Sequence, residues 1–214
     1  MNQYTNILSI DPSSSCTGYA LFQDKKLIDY GCWNLKNIEE KDWRKRISFM
    51  AEHISNYCNT HQVDYIVSED VVPSVQNSQT VKILSALQGM LISLGVAHNI
   101  PIEFVSVTTW KNKLGVQIDK SSEGRAMTKK VKVNKPKSYD KFHGWVKGYG
   151  KKISVDYANY TFGLDLVYVS PSSKKNQDDI ADAINIGYSV ICDSPDKYGL
   201  EDFGDIMDKL YECL

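Results

Sequence analysis

Ile7-Leu-Ser-Ile-Asp11-Pro-Ser-Ser-Ser-Cys-Thr-Gly18-Tyr-Ala-Leu-Phe22 reads as strand, tight turn, strand. An apolar β-type run ends in a carboxylate, a Pro and three Ser turn the chain, and Gly18 opens a second apolar run. Asp11 therefore stands at a strand end, facing whatever binds there. Two readings are open for it. Its side chain caps the turn, or it is paired or holds a cation, since an unpaired acid at the end of a central strand is costly.

Working outward, 214 residues with 42% hydrophobic content suffice for one sizeable domain with a full core, or for one domain carrying an insertion. We expect one domain over 1–214. Cys16, Cys32, Cys58, Cys192 and Cys213 are odd in number and lack C-x-x-C spacing, which fits neither a disulfide framework nor a zinc site. They read as reduced thiols of a cytoplasmic protein. No leader-like start and no apolar run near the roughly 18 residues needed to cross a bilayer are evident. A soluble intracellular protein without membrane partners is expected.

The net charge of −1 hides a strong asymmetry. Lys111 to Lys152 holds 13 Lys or Arg against three acids, a balance of +10, which leaves −11 for the remainder. Lys111, Lys113, Lys129, Lys130, Lys132, Lys135, Lys137, Lys141, Lys147 and Lys151 are interleaved with Tyr139, Phe142, Trp145 and Tyr149 and with several glycines. Such a segment suits a flexible inserted arm, at about 117–150, that neutralises phosphates and lays rings such as Trp145 against bases. A solvated loop is the plain alternative.

In chain order, Ile7 to Ile10, Tyr19 to Phe22 and roughly Lys26 to Trp33 form three antiparallel strands, the last two joined by a hairpin-like Gln23-Asp24-Lys25. Trp43, Ile47, Met50, Ile54 and Tyr57 recur at spacings of four, three, four and three, an amphipathic helix over Lys41 to Tyr57. Val63 to Glu69 is a fourth strand, which delivers a second acid at its C-terminal end. Thr80 to Val96 is a second helix with Val81, Leu84, Leu87, Leu91 and Leu94 on its apolar face; its Gln88 to Gly95 portion, rich in small residues, is also a candidate dimer surface. Pro101 to Val107 is a fifth strand. The order predicts an α/β fold, a mixed five-stranded sheet of three antiparallel and then parallel strands, with helices on both faces.

Beyond the basic segment, Lys151 to Phe162 is helical and stops at Gly163. Leu164 to Ser170 is an extended link, and Gln177 to Cys192 a helix that is acidic first and apolar later. Asp179 and Asp182 share one helix face, where their like charges repel unless a cation lies near. Capping and the helix dipole explain Asp178 or Asp179 well and Asp182 poorly. Asp193 to Glu212, with seven acids against two lysines, reads as a final helix.

The Ile-Asp11-Pro-Ser-Ser-Ser-Cys-Thr-Gly18-Tyr-Ala stretch, the strand ending in Ser-Glu69-Asp, and Asp179-Ile-Ala-Asp182-Ala-Ile together resemble the three acidic motifs of the RuvC family of Holliday junction resolvases, within the ribonuclease H-like superfamily. Phage-type members are the nearest in character. The resemblance implies catalytic, metal-holding acids at Asp11, Glu69, Asp179 and Asp182, with Asp70 and Asp178 the neighbours most easily confused with them. It also implies a homodimer acting on branched DNA, because symmetric cutting of a four-way junction needs two sites. Phosphodiester hydrolysis suits such a set. Two divalent ions about 3.5–4 Å apart activate the water and stabilise the leaving alkoxide, and Mg²⁺ or Mn²⁺ prefers carboxylate oxygens. Asp11 would bridge the two ions, with Glu69 and the Asp179/Asp182 pair to either side; no small-molecule cofactor is called for.

This chain departs from the family pattern in two places. Ser13 to Ser15 stand where the family often has Gly, and Val72 stands where bacterial resolvases tend to place an aromatic near the junction crossover. Trp145 or Tyr149 could take that stacking role. Rival readings are a broader nuclease for forks and flaps, an actin-like ATPase or sugar kinase, which needs a second phosphate loop not found here, and a DNA-binding protein without catalysis, which would not need four acids.

Overall fold

The structure, a computed structural model, describes residues 4–13, 16–35, 42–71, 78–116, 136–170 and 172–196, and for residues 136–147 the backbone only. Its elements are β1 (Asn6–Asp11), β2 (Cys16–Gln23), β3 (Lys26–Asn34), α1 (Trp43–His61), β4 (Tyr65–Glu69), α2 (Ser78–His98), β5 (Ile102–Val105), α3 (Val107–Leu114), α4 (Pro136–Phe162) and α5 (Asp178–Ile191). Two compact units emerge, Met1–Trp110 with Asp179–Pro195, and Lys111–Asp178 with Asp196–Leu214. The second contains the basic segment that the sequence set apart as an arm of a single domain.

The first unit holds a five-stranded sheet in the order β3-β2-β1-β4-β5. β1, β2 and β3 are antiparallel, while β4 and β5 run parallel to β1, as expected from the sequence. Asp24 and Lys25 both take positive φ, the backbone that lets a two-residue hairpin follow the twist of its strands.

Alternation along β1 sorts its two faces. Leu8 and Ile10 join Leu21, Ile66, Met50, Ile54, Cys58 and Leu91 in a core between the sheet, α1 and α2. Ile7 and Ser9 point the other way, toward α5, where the Ser9 hydroxyl donates to the Ala183 carbonyl at 2.7 Å. Helices therefore cover both faces. Each fully buried Ile or Leu contributes about 1.5–3 kcal/mol, and both layers are rich in them. Asp42 caps α1 by accepting the Arg44 N–H at 3.0 Å, and Gln62 closes it in the left-handed region. Burial in this core pushes the Cys58 thiol up to about 11.

The structure corrects the sequence reading at several points. Cys16 and Cys32 are not separate thiols but a disulfide across β2 and β3, with Cα atoms 6.0 Å apart; their registers, Cys16 with Asn34 and Gly18 with Cys32, make them diagonal neighbours. α2 is long and apolar enough, by length and composition, to cross a bilayer, although no such run was expected. Here its Leu87, Leu91 and Gly95 are buried, and Gly95 packs on Ile100 and Ile102 beside β5. The fifth strand, expected from Pro101 to Val107, ends at Val105, and Val107 already belongs to a helix, α3, begun by Ser106, whose hydroxyl accepts the Thr109 N–H at 3.1 Å. Finally, the helix expected from Lys151 begins at Pro136, so residues 136–150 of the arm are helical. Proline suits a first helical position, and the cost of the interior glycines, about 1 kcal/mol each, is outweighed. Within the second unit the Asn159 side chain bonds the backbone of Leu166 in both directions, anchoring the link after Gly163. The expected final helix from Asp193 lies almost wholly outside the described residues.

Candidate active site

Strand register carries the first two acids to one place. Asp11 is the last residue of β1 and Glu69 the last of β4. These strands are parallel neighbours, with Ser9 level with Val67 and Ile10 level with Ser68, so both acids sit at the same end of the sheet. Side chains alternate between faces, which puts Ser9 and Asp11 on one face with Val67 and Glu69 beside them. That is the α5 face.

α5 is held there by close contacts. A Cβ on Gly187 would stand 2.5 Å from Phe22 Cε2 and 2.8 Å from Ser9 Cβ. Near its N-terminus the approach is tighter still. Gly18 is level with Asp11 across β1 and β2, and a Cβ there would stand 1.9 Å from the Asp179 carbonyl oxygen. Only a residue without a side chain admits this approach, and it brings Asp179 to the strand position facing Asp11. Asp182 follows three residues later on the same helix.

All four acids are half-buried, and each makes further interactions. The Trp110 indole Nε1–H donates to Glu69 Oε2 at 3.1 Å. Among the described residues no three His, Cys, Asp or Glu side chains are drawn into one group that could hold a metal ion. What converges is the two strand ends and the helix turn that carry them. An all-carboxylate donor set suits hard divalent ions, which would also offset the mutual repulsion of these charges. In the chemistry of their donors the residues suit such ions.

The two confusable neighbours separate cleanly. Asp70 lies exposed beyond β4, and its carboxylate accepts from Gln88 Nε2 at 2.8 Å. Asp178 is buried and paired with Lys151 Nζ. Burial, then the Asp178 charge, pushes the Tyr168 hydroxyl above its ordinary range, against the pull of Lys151 and Lys152. The turn after Asp11 has its own clamp: the Ser13 N–H donates to Thr17 Oγ1 at 3.1 Å, and the Thr17 hydroxyl donates to the Ser13 carbonyl at 2.6 Å.

Of the cations expected to meet DNA, Lys111 and Lys113 lie in the last turn of α3, and Lys151 is engaged by Asp178. Lys137, Lys141, Trp145 and Lys147 lie on the backbone of α4. Lys129, Lys130, Lys132 and Lys135 lie outside the described residues. The sequence did not reveal that Trp110 bonds Glu69 or that Thr17 clamps the chain after Asp11.

The family model "Crossover junction endodeoxyribonuclease RuvC" matches residues 7–134. The chain belongs to the RuvC family. A crossover junction endodeoxyribonuclease RuvC from a Nitratiruptor species is 34% identical over 90 residues, 40% of this chain and 54% of that protein, so the match spans about half the relative's length. T. thermophilus RuvC, solved in complex with Holliday junction substrate, superposes with a TM-score of 0.57 at 9% identity over 86% of this chain and 92% of that one. The Thermus thermophilus RuvC structure gives a TM-score of 0.53 at 13% identity with the same coverage. These likenesses establish the fold, the RuvC type of ribonuclease H-like sheet. The RuvC family match includes Asp11 and Glu69, while Asp179 and Asp182 lie beyond residue 134 and rest on α5 alone.

Proposed function

We propose that this RuvC-family chain is a divalent-metal-dependent endonuclease that resolves four-way DNA junctions by paired phosphodiester hydrolysis. The reading rests on the delivery of Asp11, Glu69 and the first turn of α5 to one end of the sheet, where Gly18 admits the Asp179 backbone. Asp11, Glu69, Asp179 and Asp182 would hold two Mg²⁺ or Mn²⁺ ions, which supply a nucleophilic water and stabilise the leaving alkoxide. The chain's own part is positional. The β1 and β4 ends carry two carboxylates, α5 starts at the same end of the sheet with Asp179 and Asp182 in its first turns, and the Ser13–Thr17 bonds clamp the chain after Asp11. Cations of α3 and of the basic segment would bind the backbone phosphates.

Paired cuts need two copies related by a two-fold axis. α2 supports this, because it leaves Ile92 and Val96, 52% and 80% exposed, beside a groove lined by Gly95, Asn99, Pro101 and Phe104.

The test is cleavage of a labelled four-way junction beside a matched duplex and a replication fork, with Mg²⁺, with EDTA, and with Asp11→Asn protein. Symmetric nicks on the junction, lost with EDTA and with the substitution, are expected. Binding without cutting overturns the nuclease reading; equal cutting of forks and junctions replaces the resolvase by a general branched-DNA nuclease.

A further inference from the structure

Trp110 is 1% exposed, yet its indole N–H reaches a carboxylate of the candidate site. The path to it is short. Val105, the last residue of β5, is level with Glu69; Ser106 then starts α3, and the Trp110 N–H bonds the Ser106 carbonyl at 3.2 Å, so the first turn of α3 folds the ring back over the end of β4. A buried indole has one donor and no acceptor, and it requires a partner. Its partner is an oxygen of Glu69, at 3.1 Å.

We propose that Trp110 is a positioning residue of the metal site, which orients the Glu69 carboxylate for a divalent ion by engaging Oε2. This rests on the assignment of Glu69 as a metal ligand. A donor to an ionised carboxylate makes a strong, directional bond, and on a planar group it fixes rotation as well as place. One carboxylate oxygen is committed to the indole, while Oε1 and the remaining lone pair of Oε2 stay directed by it. Outer partners of metal ligands typically govern affinity and activity by 10–100-fold. The indole also adds no charge, so it orients Glu69 without competing for the cation, as a Lys or Arg in its place would. Sequence alone shows a Trp flanked by Thr109 and Lys111, with nothing to mark it as different from a core residue.

Trp110→Phe keeps most of the ring and removes the donor. Mn²⁺ binding to DNA-free protein, followed by the electron paramagnetic resonance of free Mn²⁺, is expected to weaken about 10–100-fold. Junction affinity in EDTA should stay at the wild-type level, and lost cleavage should return as Mn²⁺ is raised, which a general packing defect would not allow. Asp11→Asn and Glu69→Gln are measured alongside. If these two weaken Mn²⁺ and Trp110→Phe does not, the positioning role is overturned and the site stands. If none of the three weakens it, the carboxylate site itself is overturned. Should Trp110→Phe fail to fold, ¹⁵N-indole spectra of otherwise wild-type protein decide, with the Trp110 signal assigned by Trp33→Phe, Trp43→Phe and Trp145→Phe: a Mg²⁺-dependent shift of Trp110, abolished by Glu69→Gln, supports the role, and an unmoved signal overturns it.

Discussion

Gly18 is the residue on which the candidate site turns. An alanine there would place its Cβ 1.9 Å from the Asp179 carbonyl oxygen, and because that atom is backbone, no side-chain rotation relieves the clash. Overpacking of this kind costs about 1–3 kcal/mol, and Gly18→Ala should fall at the upper end. We expect thermal unfolding to move down and junction cleavage to drop toward the level of Asp11→Asn, as α5 lifts from β2. Wild-type cleavage by Gly18→Ala would mean that the approach of Asp179 is dispensable. Asp11 and Glu69 were legible as candidates because carboxylates at the ends of apolar strands stand out against their surroundings. Trp110 was not, since sequence spacing cannot show which buried donor meets which acid 41 positions away. The Cys16–Cys32 bridge was hidden for a related reason: a separation of 16 carries no pattern until β2 and β3 are registered.

At the scale of elements, the periodic ones were read well and the punctuated ones poorly. α1 shows a helical apolar spacing, and its buried Ile47, Met50, Ile54 and Cys58 keep it. α4 interrupts its pattern with Gly144, Gly148 and Gly150, so its first half was read as an arm. α3 hides behind Thr108 and Thr109, which favour strands; Ser106 as its cap was the overlooked cue. α5 was legible throughout, and its seat can be tested. In Gly187→Ala the new methyl meets Phe22 Cε2 at 2.5 Å and Ser9 Cβ at 2.8 Å, both in fully buried residues, but these are side-chain atoms and not backbone, and Ala gains about 1 kcal/mol of helix propensity over Gly. The net loss should therefore be smaller than for Gly18→Ala, about 1 kcal/mol or less in denaturant midpoint experiments. A larger loss would show that Phe22 cannot move.

For the whole molecule, the open apolar side of α2 predicts association. Ile92→Asp with Val96→Asp places two charges on residues 52% and 80% exposed, so the fold of each copy should be preserved. Sedimentation should shift from dimer to monomer, and cutting of the two junction strands should become uncoupled. An unchanged sedimentation coefficient would move the interface elsewhere.

The bond from Ser9 to Ala183 joins residues 174 positions apart. Ribosomes add about 5–20 residues per second, so α5 arrives about 10–35 s after β1. The five strands and the core beneath α1 and α2 can be in place by then, while two of the four acids are still unmade. A nascent chain at that point therefore has its sheet and two of the four candidate acids. On the proposed function, the arrival of α5 would act as a safety catch, because the cutting centre is completed only after the sheet that carries Asp11 and Glu69 has been made.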